Sequence, residues 1–215
     1  MERWAILLLA PSAVDADVWN RRLLDLCCDI AAAVGVEELA VHLRDEPARA
    51  IPQPEATGIA SFQALVELGG DLRAHAAVDA LRDQGGPHVY QVESRRLKSY
   101  PRTWPDGART PGVELIAALR RGPAVSRDDF AEHWREVHAP VALRVQPGMW
   151  EYRQIVVRSV ETPGSPEIDG IAVLGFPSAD AFANQLADAT RADLDRFLDL
   201  ARSETTCTGE YVLRS

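Results

Sequence analysis

The chain has 215 residues, of which 47% are apolar and 26% are charged, the composition of a globular protein with a sizeable core. Its net charge of -9, from 32 acidic and 23 basic residues, argues against a nucleic-acid partner, because a surface that follows phosphates needs the opposite balance. No stretch long enough to span a bilayer is free of charged residues, so no membrane partner is expected.

The first half of the chain predicts the order β-α-β-β-α-β. An apolar strand comes first, at residues 3–10, and its shortness argues against a signal peptide and for a cytoplasmic protein. The cysteines, Cys27, Cys28 and Cys207, form no disulfide or zinc pattern, in keeping with a reducing compartment. Hydrophobic periodicity predicts the remaining elements, which are helices at 15–34 and 71–83 and strands at 38–44, 58–68 and 89–97.

The second half repeats this order after a segment rich in proline and glycine. This segment, residues 101–112, is the predicted linker between a domain at residues 1–100 and a domain at residues 113–215. Strands are predicted at 113–120, 150–158, 171–176 and 208–213, and helices at 126–138 and 178–203. Each half therefore predicts a ferredoxin-like unit of the α+β class. Because the bare face of each antiparallel sheet must be buried, we expect the two sheets to face each other and enclose a ligand-binding lumen.

The predicted helix at 126–138 carries the candidate chemistry. Ser126 is a suitable N-cap, and Phe130, Trp134, Val137 and Val141 form an apolar stripe. At about 100° per residue, His133 and His138 lie on opposite edges of that stripe. Pro140 predicts that the helix breaks or bends just after His138, at the negative helix end, where an imidazole is well placed to act as a general acid or base.

The same residues resemble the EthD family. The resemblance covers about half the chain, residues 113–215, and rests on the run Phe130-x-x-His133-Trp134-x-x-x-His138-Ala139-Pro140 followed by Gly148-Met149-x-x-Tyr152-x-Gln154. It implies the dimeric α+β barrel superfamily, which includes polyketide cyclases, dehydratases, monooxygenases and haem enzymes. In the first half, Arg22 and Cys27 stand at the positions of the two histidines. We therefore interpret the first half as a degenerate copy and expect one active centre per chain.

Alternation along the strand at 150–158 places Trp150, Tyr152 and Gln154 on one face, and Glu151 and Arg153 on the other. The first set either lines the lumen, where polar tips would orient a phenol or carbonyl, or lies on a half-exposed edge strand. Arg153 and Glu151 would then form a surface pair that contributes little. Trp134 of the helix is a further candidate for substrate contact, although its position in the apolar stripe also suits core packing. The predicted substrate contacts are therefore Trp134, Trp150, Tyr152 and Gln154.

No metal or cofactor is predicted. His133 and His138 are five residues apart, not the three or four that place two ligands on one helix face, and His42, His75 and His88 match no ligand spacing. The leading hypothesis is a cofactor-independent enzyme, a dehydratase or cyclase, that acts on an aromatic or polyketide-like molecule, with His138 moving the proton. The alternatives are a non-catalytic protein that binds a hydrophobic metabolite and a haem enzyme. The sequence leaves two oligomeric states open, a chain that stands alone and a homodimer.

Overall fold

The computed structural model describes residues 2–33, 35–52, 58–59, 62–70, 74–183 and 187–215. The first unit contains the predicted strand–helix order with a short extra helix. The elements of this unit are β1 (Glu2–Leu8), α1 (Ala16–Ala31), β2 (Val36–Leu43), α2 (Glu46–Arg49), β3 (Gly58–Ile59), β4 (Ala64–Gly70), α3 (Ala74–Leu81) and β5 (His88–Lys98). Asp15 caps α1 by accepting hydrogen bonds from the backbone N–H groups of Asp17 and Val18 at 3.0 and 3.1 Å.

Two predicted elements of this unit differ from the structure. The strand predicted at 58–68 is split into β3 and β4, and residues 60–61 between them lie outside the described residues. The helix predicted at 71–83 is seen as α3 and ends in a 3-10 turn at Arg82–Gln84, whereas residues 71–73 are not described.

The second unit repeats the plan. Its elements are β6 (Val113–Leu119), α4 (Arg127–His133), a π-helical turn (Trp134–His138), α5 (Ala139–Val145), β7 (Glu151–Val160), β8 (Gly170–Phe176), α6 (Ala179–Ala183), α7 (Ala187–Phe197) and β9 (Glu204–Arg214). The sheet order is β2-β4-β1-β5 in the first unit and β7-β8-β6-β9 in the second, so the two ferredoxin-like units have corresponding topologies.

The two sheets join at both sides. β5 pairs with β7, and β2 pairs with β9, in both cases antiparallel, so eight strands form a closed ring. The short β3 adds a parallel pairing to β9. The predicted α+β fold, two tandem ferredoxin-like units forming an α+β barrel within one chain, is therefore confirmed. None of the described helices is long and apolar enough to cross a membrane.

Strand residues alternate between a helix-covered outer face and the lumen. The outer face of the first sheet packs on α1 through Trp19, Leu23 and Cys27. A separate apolar cluster combines inward-facing residues of both units, including Leu65 and Ile155, and fills one part of the lumen. Both faces of most strands are therefore buried, which removes the polar face that sequence alternation normally reveals.

Candidate active site

The helix that carries the histidines continues through Pro140 as far as Val145. Of the two outcomes predicted after His138, a break or a bend, the break is wrong, because a π-helical turn joins α4 to α5 and the N–H of Ala139 donates to the carbonyl of Trp134, five residues earlier. A proline ring inside an α-helix clashes with the carbonyl four residues before it, and a wider turn relieves this clash. Ser126 caps the helix as predicted, accepting from the N–H of Asp129 at 3.1 Å.

The π-helical turn also changes which residues face the protein. One extra residue per turn rotates the following positions, so that His138 is buried and Val137, predicted in the apolar stripe, is 44% exposed. Residues five apart then lie on the same side. His133 and His138, predicted on opposite edges, both bind the carboxylate of Asp193 on α7.

Asp193 holds the two imidazoles together. The distance from Nε2 of His133 to Oδ1 is 3.0 Å, and the distance from Nδ1 of His138 to Oδ2 is 2.9 Å. The ring of Phe197 packs on both, with centroid distances of 4.7 and 5.5 Å. We call His133, Asp193, His138 and Phe197 the histidine centre. Sequence reasoning missed Asp193, because it lies on a different helix and no motif links the two.

The electrostatics of the histidine centre favour a neutral His138. Burial lowers the pKa of His138 and outweighs the hydrogen bond and charge of Asp193, which act in the opposite direction. Burial would raise the pKa of Asp193, but its hydrogen bonds with His138 and His133 lower it instead. Since an ionised carboxylate only accepts hydrogen bonds, Nδ1 of His138 carries the proton, and Nε2 is a proton acceptor without a partner among the described residues.

Trp134, Tyr152 and Gln154 form a buried network beside this centre. Nε1 of Trp134 donates to the Tyr152 hydroxyl at 3.0 Å, and Nε2 of Gln154 donates to the same hydroxyl at 3.2 Å. Nε2 of Gln154 also donates to the Trp134 carbonyl at 2.8 Å, which fastens the π-helical turn to β7. A Cβ added to Gly170 would lie 2.5 Å from the Trp134 ring, so only glycine admits this close approach.

The lumen placement considered for Tyr152 and Gln154 is wrong. Tyr152 packs with helix residues such as Ala139 and Ala142 on the outer face, whereas Ile155 belongs to the apolar cluster inside the ring. Strand alternation correctly separated the two sets but could not show which one points inward. Trp150 lies apart from the histidine centre. It stacks on Tyr100, which directly precedes the linker segment, with a centroid distance of 4.2 Å.

The inward face of β7 carries a buried guanidinium. Arg153, predicted in a surface pair, is 4% exposed and lies 2.7 Å from Glu67, 2.9 Å from Glu151 and 3.1 Å from Glu210. Its distance to Glu114 is 3.6 Å. Burial raises the pKa of Glu151 to about 7 and also raises that of Glu114. The surface-pair interpretation is therefore wrong, because the facing sheet covers this side of β7.

His42 belongs to the same buried group of charges, although no role was predicted for it from the sequence. We call the group the charged layer, and its members are His42, Glu67, Glu114, Glu151, Arg153 and Glu210. Its Nδ1 lies 2.6 Å from Glu114 and its Nε2 lies 2.9 Å from Glu67. Burial alone would lower the pKa of His42, but the two carboxylates raise it to about 10. The signal available in the sequence was a single polar residue at an inward position of each of several apolar strands. His88 instead contacts Ser165, and the side chain of His75 lies outside the described residues.

A cavity of about 360 Å³ opens from the charged layer toward one end of the ring. Glu67, Arg153 and Glu210 form its floor, and the ion pair of Arg3 with Glu38, at 2.6 Å, lies at its side. The histidine centre does not line this cavity, because it lies on the other face of β7. The described residues thus form two separate polar centres, one under the helices and one inside the ring.

Among its described residues, the first unit has no counterpart of the histidine centre. Cys27, at the position of His138, is fully buried in the core, and burial raises the pKa of its thiol to about 12. Arg22, at the position of His133, is exposed. The helix α1 that carries both residues is a regular α-helix over all its length.

Comparisons with known proteins match this architecture. The family model described as EthD domain matches residues 122–201. No curated protein sequence matches the chain. The chain is similar to the crystal structure of an anthrone oxidase-like protein, with a TM-score of 0.62 and 11% identity over 100% of this chain and 93% of that chain.

Two further solved structures show the same fold. A protein of Fusobacterium nucleatum subsp. nucleatum, provisionally described as a monooxygenase, gives a TM-score of 0.52 and 11% identity over 99% of this chain and 92% of its own. A mutant chlorite dismutase from Candidatus Nitrospira defluvii gives 0.51 and 10% over the same shares. At these identities the similarity concerns the fold alone. The segment 122–201 contains the histidine centre but neither His42 nor Glu67 nor Glu210.

Proposed function

The second half of this chain carries an EthD domain within an α+β barrel, and from this premise we propose an enzyme that performs acid/base chemistry on an aromatic or polyketide-like small molecule. The observation that carries the proposal is the histidine centre, in which one carboxylate holds two imidazoles under a π-helical turn. Such turns occur frequently at functional sites. A dehydration, a cyclisation or another elimination would each use this proton transfer.

His138 would move the proton. With Nδ1–H bound to Asp193, the neutral ring presents Nε2 as a base, and the carboxylate would stabilise the imidazolium that forms when Nε2 takes a proton. His133, whose side chain is 24% exposed, binds the other carboxylate oxygen and reaches the surface between the π-helical turn and α7. A substrate approaching at that surface would meet His133 first, and His133 would orient it or polarise a carbonyl.

Trp134, Tyr152 and Gln154 take a different role from the one expected of substrate contacts. Their polar atoms bind one another and all three side chains are buried, so we propose that they act as positioning residues. Through the Trp134 carbonyl they hold the π-helical turn in place, and this turn orients both histidines toward Asp193. Tyr152→Phe should therefore alter the pH profile of the reaction through His138 while leaving substrate affinity unchanged.

Proton abstraction can be tested without knowing the product. An anthrone is a suitable probe because its methylene hydrogens are acidic and because a solved structure of similar fold is anthrone oxidase-like. The full-length protein is mixed with anthrone in D₂O, and deuterium incorporation is followed by mass spectrometry. We expect His138→Gln to lose at least about 100-fold of the protein-dependent exchange rate. His88→Gln, which changes a histidine remote from the centre, should retain it.

The outcomes separate the alternatives. A folded His138→Gln protein that exchanges at the wild-type rate would remove His138 from the mechanism. Saturable anthrone binding without exchange would favour a metabolite-binding protein. A Soret band that develops with added haemin and is lost in His138→Gln would favour a haem enzyme.

A further inference from the structure

Three potential metal ligands meet inside the ring on adjacent strands. His42 on β2 lies opposite Glu210 on β9, and Glu114 on β6 lies opposite Thr208, which is also on β9. One ligand atom from each of His42, Glu114 and Glu210 lies within 4.8 Å of the other two. All three residues are buried, and they belong to neither the histidine centre nor its face of the sheet.

Two oxygen atoms at this place have no hydrogen-bond partner among the described residues. They are Oε1 of Glu114 and Oγ1 of Thr208, both fully buried. The register of β6 and β9 puts these two side chains side by side on the lumen face. The charged group near Oε1 is Arg153 at 3.6 Å, beyond hydrogen-bond distance. A buried polar atom without a protein partner is costly, so this arrangement favours a bound ligand at this place.

The charge of the layer points to a cation. Four carboxylates, one guanidinium and one imidazolium are in contact here, which leaves an excess of two negative charges when all are ionised. The rim residue Arg96 lies 3.7 Å from Glu151 and is more than half exposed, so its charge is screened by solvent. Buried charges need a compensating partner, and a divalent ion that takes the place of the His42 proton would reduce this excess from two charges to one.

Neighbouring groups already orient the three ligands. Nε2 of His42 binds Glu67 at 2.9 Å, the carboxylate–histidine arrangement that typically supports a metal-bound imidazole. Oε2 of Glu210 accepts hydrogen bonds from Tyr100 at 3.0 Å and Thr110 at 2.8 Å. Glu210 also lines the 360 Å³ cavity, which offers an entry path from solvent.

We propose that His42, Glu114 and Glu210 bind a divalent first-row transition-metal ion, which replaces the proton between His42 Nδ1 and Glu114. One imidazole and two carboxylates suit Zn²⁺, Mn²⁺ or Fe²⁺ rather than a thiophilic ion. The site is independent of the proposed function, since His42 and Glu210 lie outside the EthD segment and the histidine centre is on the opposite face of the sheet.

Titration of the chelator-treated full-length protein with Co²⁺ tests the site, followed by visible absorption and calorimetry. We expect one Co²⁺ per chain and a dissociation constant that rises at least about tenfold in Glu114→Gln. Glu151→Gln is the matched control, because it removes a buried carboxylate of the same layer that is not a ligand. Its dissociation constant should stay within about threefold of wild type, well below the loss expected for a ligand.

Absence of stoichiometric Co²⁺ binding by the wild-type protein would overturn the proposal, and so would equal binding by wild type and Glu114→Gln. If Glu114→Gln does not fold, X-ray absorption of the Zn²⁺-loaded wild-type protein decides. One imidazole in the coordination shell, lost in His42→Gln, supports the site. A shell of oxygen ligands alone overturns it.

Discussion

Replacing Asp193 by asparagine should loosen both imidazoles of the histidine centre at once. The carboxylate accepts hydrogen bonds from His133 at 3.0 Å and His138 at 2.9 Å, and its side chain is only 13% exposed. An amide keeps one acceptor oxygen and turns an NH₂ group toward the other ring. At about 1.5–3 kcal/mol for a hydrogen bond to a charged group, the loss of one bond and the weakening of the other predict destabilisation by about 3 kcal/mol.

The substitution also has an electrostatic signature. Asp193 raises the pKa of His138 against the larger effect of burial, so without its charge the pKa of His138 should fall further. Urea unfolding measures the stability, and NMR titration of the imidazole protons measures the pKa. The control is Asp195→Asn on the same helix, which breaks only an exposed pair with Arg191 at 3.5 Å and should cost less than about 0.5 kcal/mol. Equal stabilities of the two variants, or a raised His138 pKa in Asp193→Asn, would refute the reasoning.

Three other expectations concern the core and its protons. Arg153→Met removes the guanidinium from the charged layer and should lower the free energy of unfolding in urea by about 3–5 kcal/mol. A change below about 1 kcal/mol would contradict a stabilising role of these ion pairs. Gly170→Ala places a Cβ 2.5 Å from Trp134 and should cost about 1–3 kcal/mol, whereas Gly148→Ala, with its nearest contact at 3.5 Å, should be close to neutral in the same assay. Because the folded-state pKa of His138 is lowered, its contribution to stability is present above about pH 6.5 and is lost as the pH falls below that value. The urea midpoint should therefore fall between about pH 7 and pH 5, and His138→Gln should make this pH dependence smaller.

The sequence predicted the order of the strands and helices through its repeated β-α-β-β-α-β pattern, because periodicity and the Pro-rich segment are local properties. It did not predict how His133 and His138 meet, since a regular wheel of 100° per residue has no place for a π-helical turn. Pro140 was a correct sign of irregular helix geometry, but the helix widened where a break or a bend was expected. Asp193 depends on the packing of two helices, which no local pattern encodes.

The orientation of the two faces of β7 was also not predictable from the sequence. In a half-exposed strand, the polar set points to solvent and identifies the buried set. Here Tyr152 and Gln154 are buried under helices while Glu151 and Arg153 are buried inside the ring, so both sets mix polar and apolar residues. Alternation therefore divided the residues of β7 into two sets but did not show which set faces the lumen. Only the closure of the ring by the first half makes the inward position of Arg153 apparent.

The pairing of β5 with β7 and of β2 with β9 also makes the two halves interdependent for folding. Either half alone would present two unpaired strand edges, which are sites of aggregation, and would open the layer containing His42 and Arg153 to water. The linker keeps the partner sheet at a high effective concentration, so closure is an intramolecular step that does not depend on protein concentration. A chain cut within residues 101–112 should thus yield fragments that are insoluble singly and recover the native fold only when refolded together.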